Sequence, residues 1–127
     1  MQMNDIINNA ADQDRGADLH LLSPFDGTDT GMVFTIVGPD SDTARRADLA
    51  FIDELAEVAE PDGRVSAEAR HKARLNALAR RIIRWDVRQD GQPVKLTTKA
   101  ALTLLNVGWV RDQVDAFAGD HRNFRPD

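Results

Sequence analysis

The chain has 127 residues, 42% of them hydrophobic and 29% charged, with a formal net charge of −5 and no cysteine. This length suits one domain with its own core, and the lack of cysteine excludes disulfides, thiolate metal sites and cysteine nucleophiles. No apolar run approaches the roughly 20 residues of a membrane span, and the acidic first twenty residues lack the apolar stretch of a secretory signal, so a soluble protein of a reducing cytoplasm is expected.

The charge is segregated. Residues 1–38 hold six acids and one base, 39–63 eight acids and two bases, 64–88 eight bases and two acids, and 89–127 five of each. An acidic segment followed directly by a basic one predicts two antiparallel helices of opposite charge.

In chain order, residues 1–18 are polar apart from a few apolar side chains, Ile6 and Ile7 the large aliphatics among them, and are expected to form a flexible N-terminus. Residues 19–23 and 32–37 predict strands, the second (Met-Val-Phe-Thr-Ile-Val) being mostly β-branched or aromatic. Asp26-Gly27 and Gly31 between them predict a hairpin. Gly38-Pro39-Asp40-Ser41 stops the second strand and supplies caps, so a helix should start near Asp42. Its expected core face is Leu49, Ile52, Leu55, Ala56 and Ala59, widened by Phe51 and Val58. Pro61-Asp62-Gly63 ends it, and Ser66 is the candidate N-cap of the basic helix, whose buried stripe is Leu75, Leu78, Ala79 and Ile82.

That helix is expected to run to Trp85–Arg88, where Asp90-Gly91 and Pro93 turn the chain. Thr97 or Thr98 then caps a short helix through Leu102, Leu104 and Leu105. Val107-Gly108 interrupts it, and a last helix spans 109–118 with Val110, Val114 and Phe117 inward. Phe124 should dock back. Trp85 and Trp109 flank the turn and are expected to be largely buried, meeting each other or Phe117. The fold class is α+β, an N-terminal β-hairpin packed on a bundle of about four α-helices, with residues 19–127 as a single domain.

Two surfaces are candidates for binding. Residues 32–37, with Phe34, Thr35 and Ile36 at their centre, contain no charge and no proline, so an unpaired edge there would serve self-association or strand addition to a partner. Along the basic helix, Arg70, Arg74, Arg81, Arg84 and Arg88 fall within about 40° of one line if the helix reaches Arg88. Guanidinium groups bind phosphate in bidentate fashion, with Arg74, Arg81 and Arg84 the residues to test. A solvated face beside an acidic helix explains the same pattern better, because the chain is acidic overall and has no tyrosine. The histidines at 20, 71 and 121 have no ligand spacing. Asp26, Asp29, Asp40 and Asp42 miss the calcium-loop pattern. Neither a phosphate loop nor a nucleophile elbow is present. No catalytic residue, metal or cofactor is therefore expected.

Three stretches together resemble a known family: Thr35-Ile-Val-Gly-Pro-Asp-Ser-Asp-Thr-Ala-Arg45; Trp85-Asp-Val, Asp90-Gly-Gln-Pro-Val94 and Thr97, followed by Ala101-Leu-Thr-Leu-Leu105; and Trp109-Val-Arg-Asp-Gln-Val-Asp-Ala-Phe117 with Asn123-Phe124. In this order and spacing, over about residues 19–124, the chain is similar to the tail assembly chaperones of long-tailed bacteriophages and prophages. The resemblance implies a non-enzymatic protein of the host cytoplasm. It would bind the tape-measure protein, recruit subunits of the major tail protein and be absent from the finished virion, and a longer form is often made by ribosomal frameshifting. The acidic N-terminus and acidic first helix depart from the family's pattern. The alternatives are a nucleic-acid-binding regulator using the arginines, or a structural tail or head-completion protein.

Overall fold

The computed structural model describes residues 1–126 and has the expected α+β architecture: five α-helices and a small antiparallel sheet that includes the N-terminal hairpin. The hairpin strands are β1 (Ala17–Leu22) and β2 (Asp29–Ile36). A third strand, β3 (Ile82–Asp86), pairs with the other edge of β2, so the order is β1-β2-β3. Leu19, Phe34 and Trp85 form one cross-strand row, and the Phe34 and Trp85 rings lie 5.8 Å apart between centroids. Phe34 and Ile36 of this sheet join Leu75, Leu78, Leu105, Val110 and Val114 in the core.

The third strand corrects the expected end of the basic helix. That helix, α3 (Ala67–Arg81), stops at Arg81 and passes into β3 without a loop. Ile82 and Ile83 are β-branched and join β3, Ile82 pairing with Ile36. The Val37 amide donates to the Arg81 carbonyl at 3.0 Å, closing the junction. No Gly or Pro marks the boundary, so tertiary pairing alone sets it. The turn at Asp90-Gly91 is present as the tip of a second hairpin between β4 (Arg88–Gln89) and β5 (Gln92–Pro93), with φ of 52° and 76° at the two turn residues.

The helix starts follow the predicted caps. Ser41 Oγ accepts from the Ala44 amide at the head of α2 (Asp42–Val58), and Ser66 Oγ from Ala69 at the head of α3. Thr97 Oγ1 accepts from Ala100 at the head of α4 (Thr98–Leu105). The break at Val107 is followed by α5 (Gly108–Gly119). Phe124 docks as expected: it is buried and meets Phe117 edge to face. Trp85 and Trp109 are only partly buried, and the aromatic partner of Trp85 is Phe34, not Trp109 or Phe117.

Two readings of the N-terminal half change. Residues 1–18, expected as a flexible N-terminus before a first strand at residue 19, hold a helix, α1 (Met3–Asp12), and β1 already starts at Ala17. Gln13, 3% exposed, ties α1 to the domain. Its Oε1 accepts from the Asp40 amide (2.7 Å), its Nε2 donates to Asn9 Oδ1 (3.1 Å), and its carbonyl accepts from the Gly38 amide. The Asn9 side chain also donates to the Phe124 carbonyl. In α2 the buried residues are Ala44 and Ala47, and Leu49, about 200° round the helix from Ala47, faces outward with Ile52. Small alanines and the pairing of α2 acids with α3 arginines set this rotation, instead of the larger aliphatics.

Gly38 is packed directly on Gln13, since a Cβ there would lie 2.7 Å from the Gln13 Cγ as well as its Cβ and against its Oε1, and Ala at position 13 removes the Cγ and Oε1. Gly38→Ala should therefore destabilise the fold by about 1–3 kcal/mol in urea unfolding. Combined with Gln13→Ala, the loss should be less than additive; full additivity would show that the contact is not what constrains position 38. In the C-terminal 3-10 turn (His121–Phe124), hydrogen bonding from Arg122 draws the Asp120 carboxyl down to about 2 from an ordinary 3.8. Its contribution is therefore complete above the ordinary value and lost as pH falls towards 2. An NMR titration should show the low midpoint, and Arg122→Ala should return it towards 3.8; an unmoved midpoint would contradict the assignment.

Candidate protein-binding surfaces

The six residues singled out from sequence fall in three elements, β2, α3 and β3, and form neither the edge nor the ridge that was expected. Phe34, Thr35 and Ile36 lie in the central strand, buried and hydrogen-bonded on both sides through the pairings with β1 and β3. Thr35 Oγ1 donates to Asp18 Oδ1 at 2.7 Å. Strand addition to β2 is therefore excluded by geometry: the missing third strand was supplied by the segment read as the end of a helix. At the outer edge of β1, the Gln113 carboxamide both donates to the Leu22 carbonyl and accepts from its amide, at 2.9 Å each, as a neighbouring strand would.

The arginines are dispersed. Arg74 and Arg81 lie on α3, whereas Arg84 belongs to β3 and Arg88 to β4, so the continuous ridge does not form. Arg74 pairs with Asp115 of α5 at 2.7 Å, Arg81 with Asp48 of α2, and Arg84 donates to the Arg15 carbonyl at 3.3 Å. Arg80 pairs with Glu54. Burial opposes ionisation of Glu54, but hydrogen bonds from Arg80 and Asn76 outweigh it and hold its carboxyl below the ordinary value. The opposite charges of α2 and α3 thus meet across the helix pair, as the charge segregation predicted. Arg74 and Arg81 line a groove of about 260 Å³ among α2, α3 and α5, together with Phe51 and the two aspartates that pair with them. A groove whose cations already face carboxylates has little field left for phosphate.

The histidines stay apart: His20 faces Asp29, His121 faces Asp40, and His71 is exposed on α3. No group of three or more His, Asp or Glu that could hold a metal ion forms among the described residues.

What the surface does offer is apolar. Met3, Ile6 and Ile7 on α1 are 74%, 60% and 54% exposed, and Leu49 and Ile52 on α2 are half exposed or more. Phe25 at the β1–β2 turn is almost fully exposed. β3, β4 and α4 enclose an open groove of about 430 Å³ lined by Met32, Trp85, Val87, Val94, Ala100 and Leu104, with Arg88 and Lys99 among its polar residues. The Trp85 indole N–H donates to the Val94 carbonyl at 2.7 Å, which fixes the ring as a wall. Sequence reasoning missed this groove because it ran the basic helix to Trp85–Arg88 and read the following residues as a turn; the alternation Trp85, Asp86, Val87, Arg88 was the available strand signal. The α1 face was legible too, as Met3, Ile6, Ile7 and Ala10 follow the i, i+3, i+4, i+7 spacing.

Because Trp85 is only partly buried, Trp85→Ala should destabilise by about 1–3 kcal/mol in chemical unfolding, below the 3–5 kcal/mol of a fully buried aromatic. A loss within experimental error would mean that the ring supports neither the sheet nor the groove. Comparison with protein-family models, with curated proteins and with solved structures gave no match for this chain.

Proposed function

We propose that this chain is a tail assembly chaperone of a long-tailed bacteriophage or prophage, acting in the host cytoplasm by holding the tape-measure protein and recruiting subunits of the major tail protein. The observation that carries the reading is the outward apolar row of α2, Leu49 and Ile52, on a helix whose inner side is already satisfied against α3. Singly exposed aliphatics need no explanation, but apolar rows on α1 and α2, with Phe25 at the hairpin turn, fit a protein that covers apolar surface on others. The sequence resemblance over residues 19–124 supports the same role. A long helical client needs many modest contacts that can later be exchanged for the tail tube, and several small apolar patches supply them better than one deep site. The pairing of Arg74 and Arg81 with carboxylates weighs against the nucleic-acid reading. No helix among the described residues is long and apolar enough to cross a membrane.

Co-expression with a tape-measure fragment tests this reading. The tagged chain should co-purify with the fragment, and Leu49→Asp with Ile52→Asp should weaken capture by tenfold or more while circular dichroism stays unchanged. Failure to capture the fragment, with the chain instead retained in finished particles, would favour a structural tail or head-completion protein. Affinity for DNA that falls steeply with salt and is lost on Arg74→Ala, Arg81→Ala and Arg84→Ala would favour the regulator.

A further inference from the structure

The most unusual element by its own physics is α1. It is ten residues long, contains no buried residue, and turns its three largest side chains to solvent. Helices shorter than about 12–15 residues are marginal in water, and in proteins most helical stability comes from packing an amphipathic face. Here the polar side does the anchoring: Asn9 and Gln13 hold the C-terminal end to Phe124, Asp40 and Gly38. Gln2 and Asp5 close the N-terminal end through the Gln2 amide and Asp5 carboxylate at 2.7 Å. The helix is thus fixed in place with its apolar row, Met3, Ile6, Ile7 and Ala10, presented outward.

A receptor for such a row exists on the same chain, but not within reach of it. The groove of Met32, Trp85, Val87, Val94, Ala100 and Leu104 is open, apolar along its floor, and large enough for several aliphatic groups. No α1 residue lines it. The helix leaves the sheet from β1, whereas the groove lies along β3, two strands away. Their charges are complementary. Residues 3–12 contain two aspartates, Asp5 and Asp12, and no base; Arg15, just beyond, lies 3.9 Å from Asp12, so Asp5 carries the exposed negative charge of the helix. The groove lining contains two cations, Arg88 and Lys99, and no carboxylate; Arg88 lies 3.3 Å from Asp86 outside it.

We infer that the occupant of this groove is α1 of a second copy of the chain, with Ile6 and Ile7 seated against Trp85 and Leu104 and Asp5 facing Lys99 and Arg88. The interface is heterologous: one copy uses its helix and the other its groove, so each copy has one of each to offer. The inference stands apart from the chaperone reading, because it concerns contact between copies and needs no client.

Sedimentation equilibrium on the full chain tests it with two variants at exposed or half-exposed positions. Ile6→Asp removes the apolar contact of the helix and leaves the groove intact. Ala100→Glu fills the groove and repels the acidic helix. The wild type should associate with increasing concentration, less so at high salt, and each variant alone should be monomeric, with association weakened at least tenfold. An equimolar mixture of the two should recover a complex limited to one copy of each, joining the intact helix of one variant to the intact groove of the other. Should Ala100→Glu unfold, Lys99→Glu at the exposed rim replaces it, expected to weaken association severalfold. A wild type that stays monomeric at its highest soluble concentration overturns the inference. So does a result in which Ile6→Asp abolishes association while Ala100→Glu still associates, which would mean that helices meet helices, and so does a mixture that fails to associate. None of these results bears on capture of a tape-measure fragment through α2.

Discussion

The pairing of β2 with β3 is the constraint on which the rest depends. It joins residues about fifty positions apart, Phe34 with Trp85 and Ile36 with Ile82, and it decides three things at once. It ends α3 at Arg81, it buries residues 34–36 between two neighbours, and it stands Trp85 upright as the wall of a groove. Were the helix to continue through Arg88, the arginines would align and β2 would keep an open edge. The two surfaces anticipated from sequence and the surfaces found are therefore alternatives set by one strand pairing.

Local chemistry was legible where it acts locally. Ser41, Ser66 and Thr97 cap the helices they were expected to cap, because a hydroxyl three residues before a free amide needs nothing else from the fold. Asp90 and Gly91 make the turn their φ preferences demand. The charge segregation likewise became contact between helices, with Asp48 and Glu54 meeting Arg81 and Arg80. What was not legible depended on distant partners. Ile82 and Ile83 suit a helix end or a strand, and only the open side of β2 chooses between them. The rotation of α2 was misjudged for a related reason: counting large aliphatics favoured Leu49 and Ile52 as core, whereas the residues of α2 that are buried are Ala44 and Ala47. The N-terminal helix was missed because polar composition was weighed over the helical spacing of its apolar residues, and its tether, Gln13 packed on Gly38, is a contact invisible from spacing.

The functional consequence is a division of labour between charge and apolar surface. Ion pairs are consumed in aligning α2, α3 and α5, where partly screened pairs contribute little stability each but fix orientation. Apolar side chains beyond those needed for the core are displayed on α1, α2 and the hairpin turn. A chain of this size can release them for partners because its core, in which sheet residues Leu21, Phe34 and Ile36 meet the helices, is closed without them. The candidate site is thus distributed over patches that the sheet positions but does not contain.

Amide hydrogen exchange on the chain alone and bound to a tape-measure fragment tests this account most directly. The slowest amides should be those of β2 and β3, reporting the long-range pairing, while α1 and α2 exchange faster. Binding should add protection on α2 around Leu49 and Ile52, leaving β2 unchanged. Fast exchange at Thr35 and Ile36 in the free chain, with protection gained there on binding, would contradict the account and restore β2 as an open docking edge.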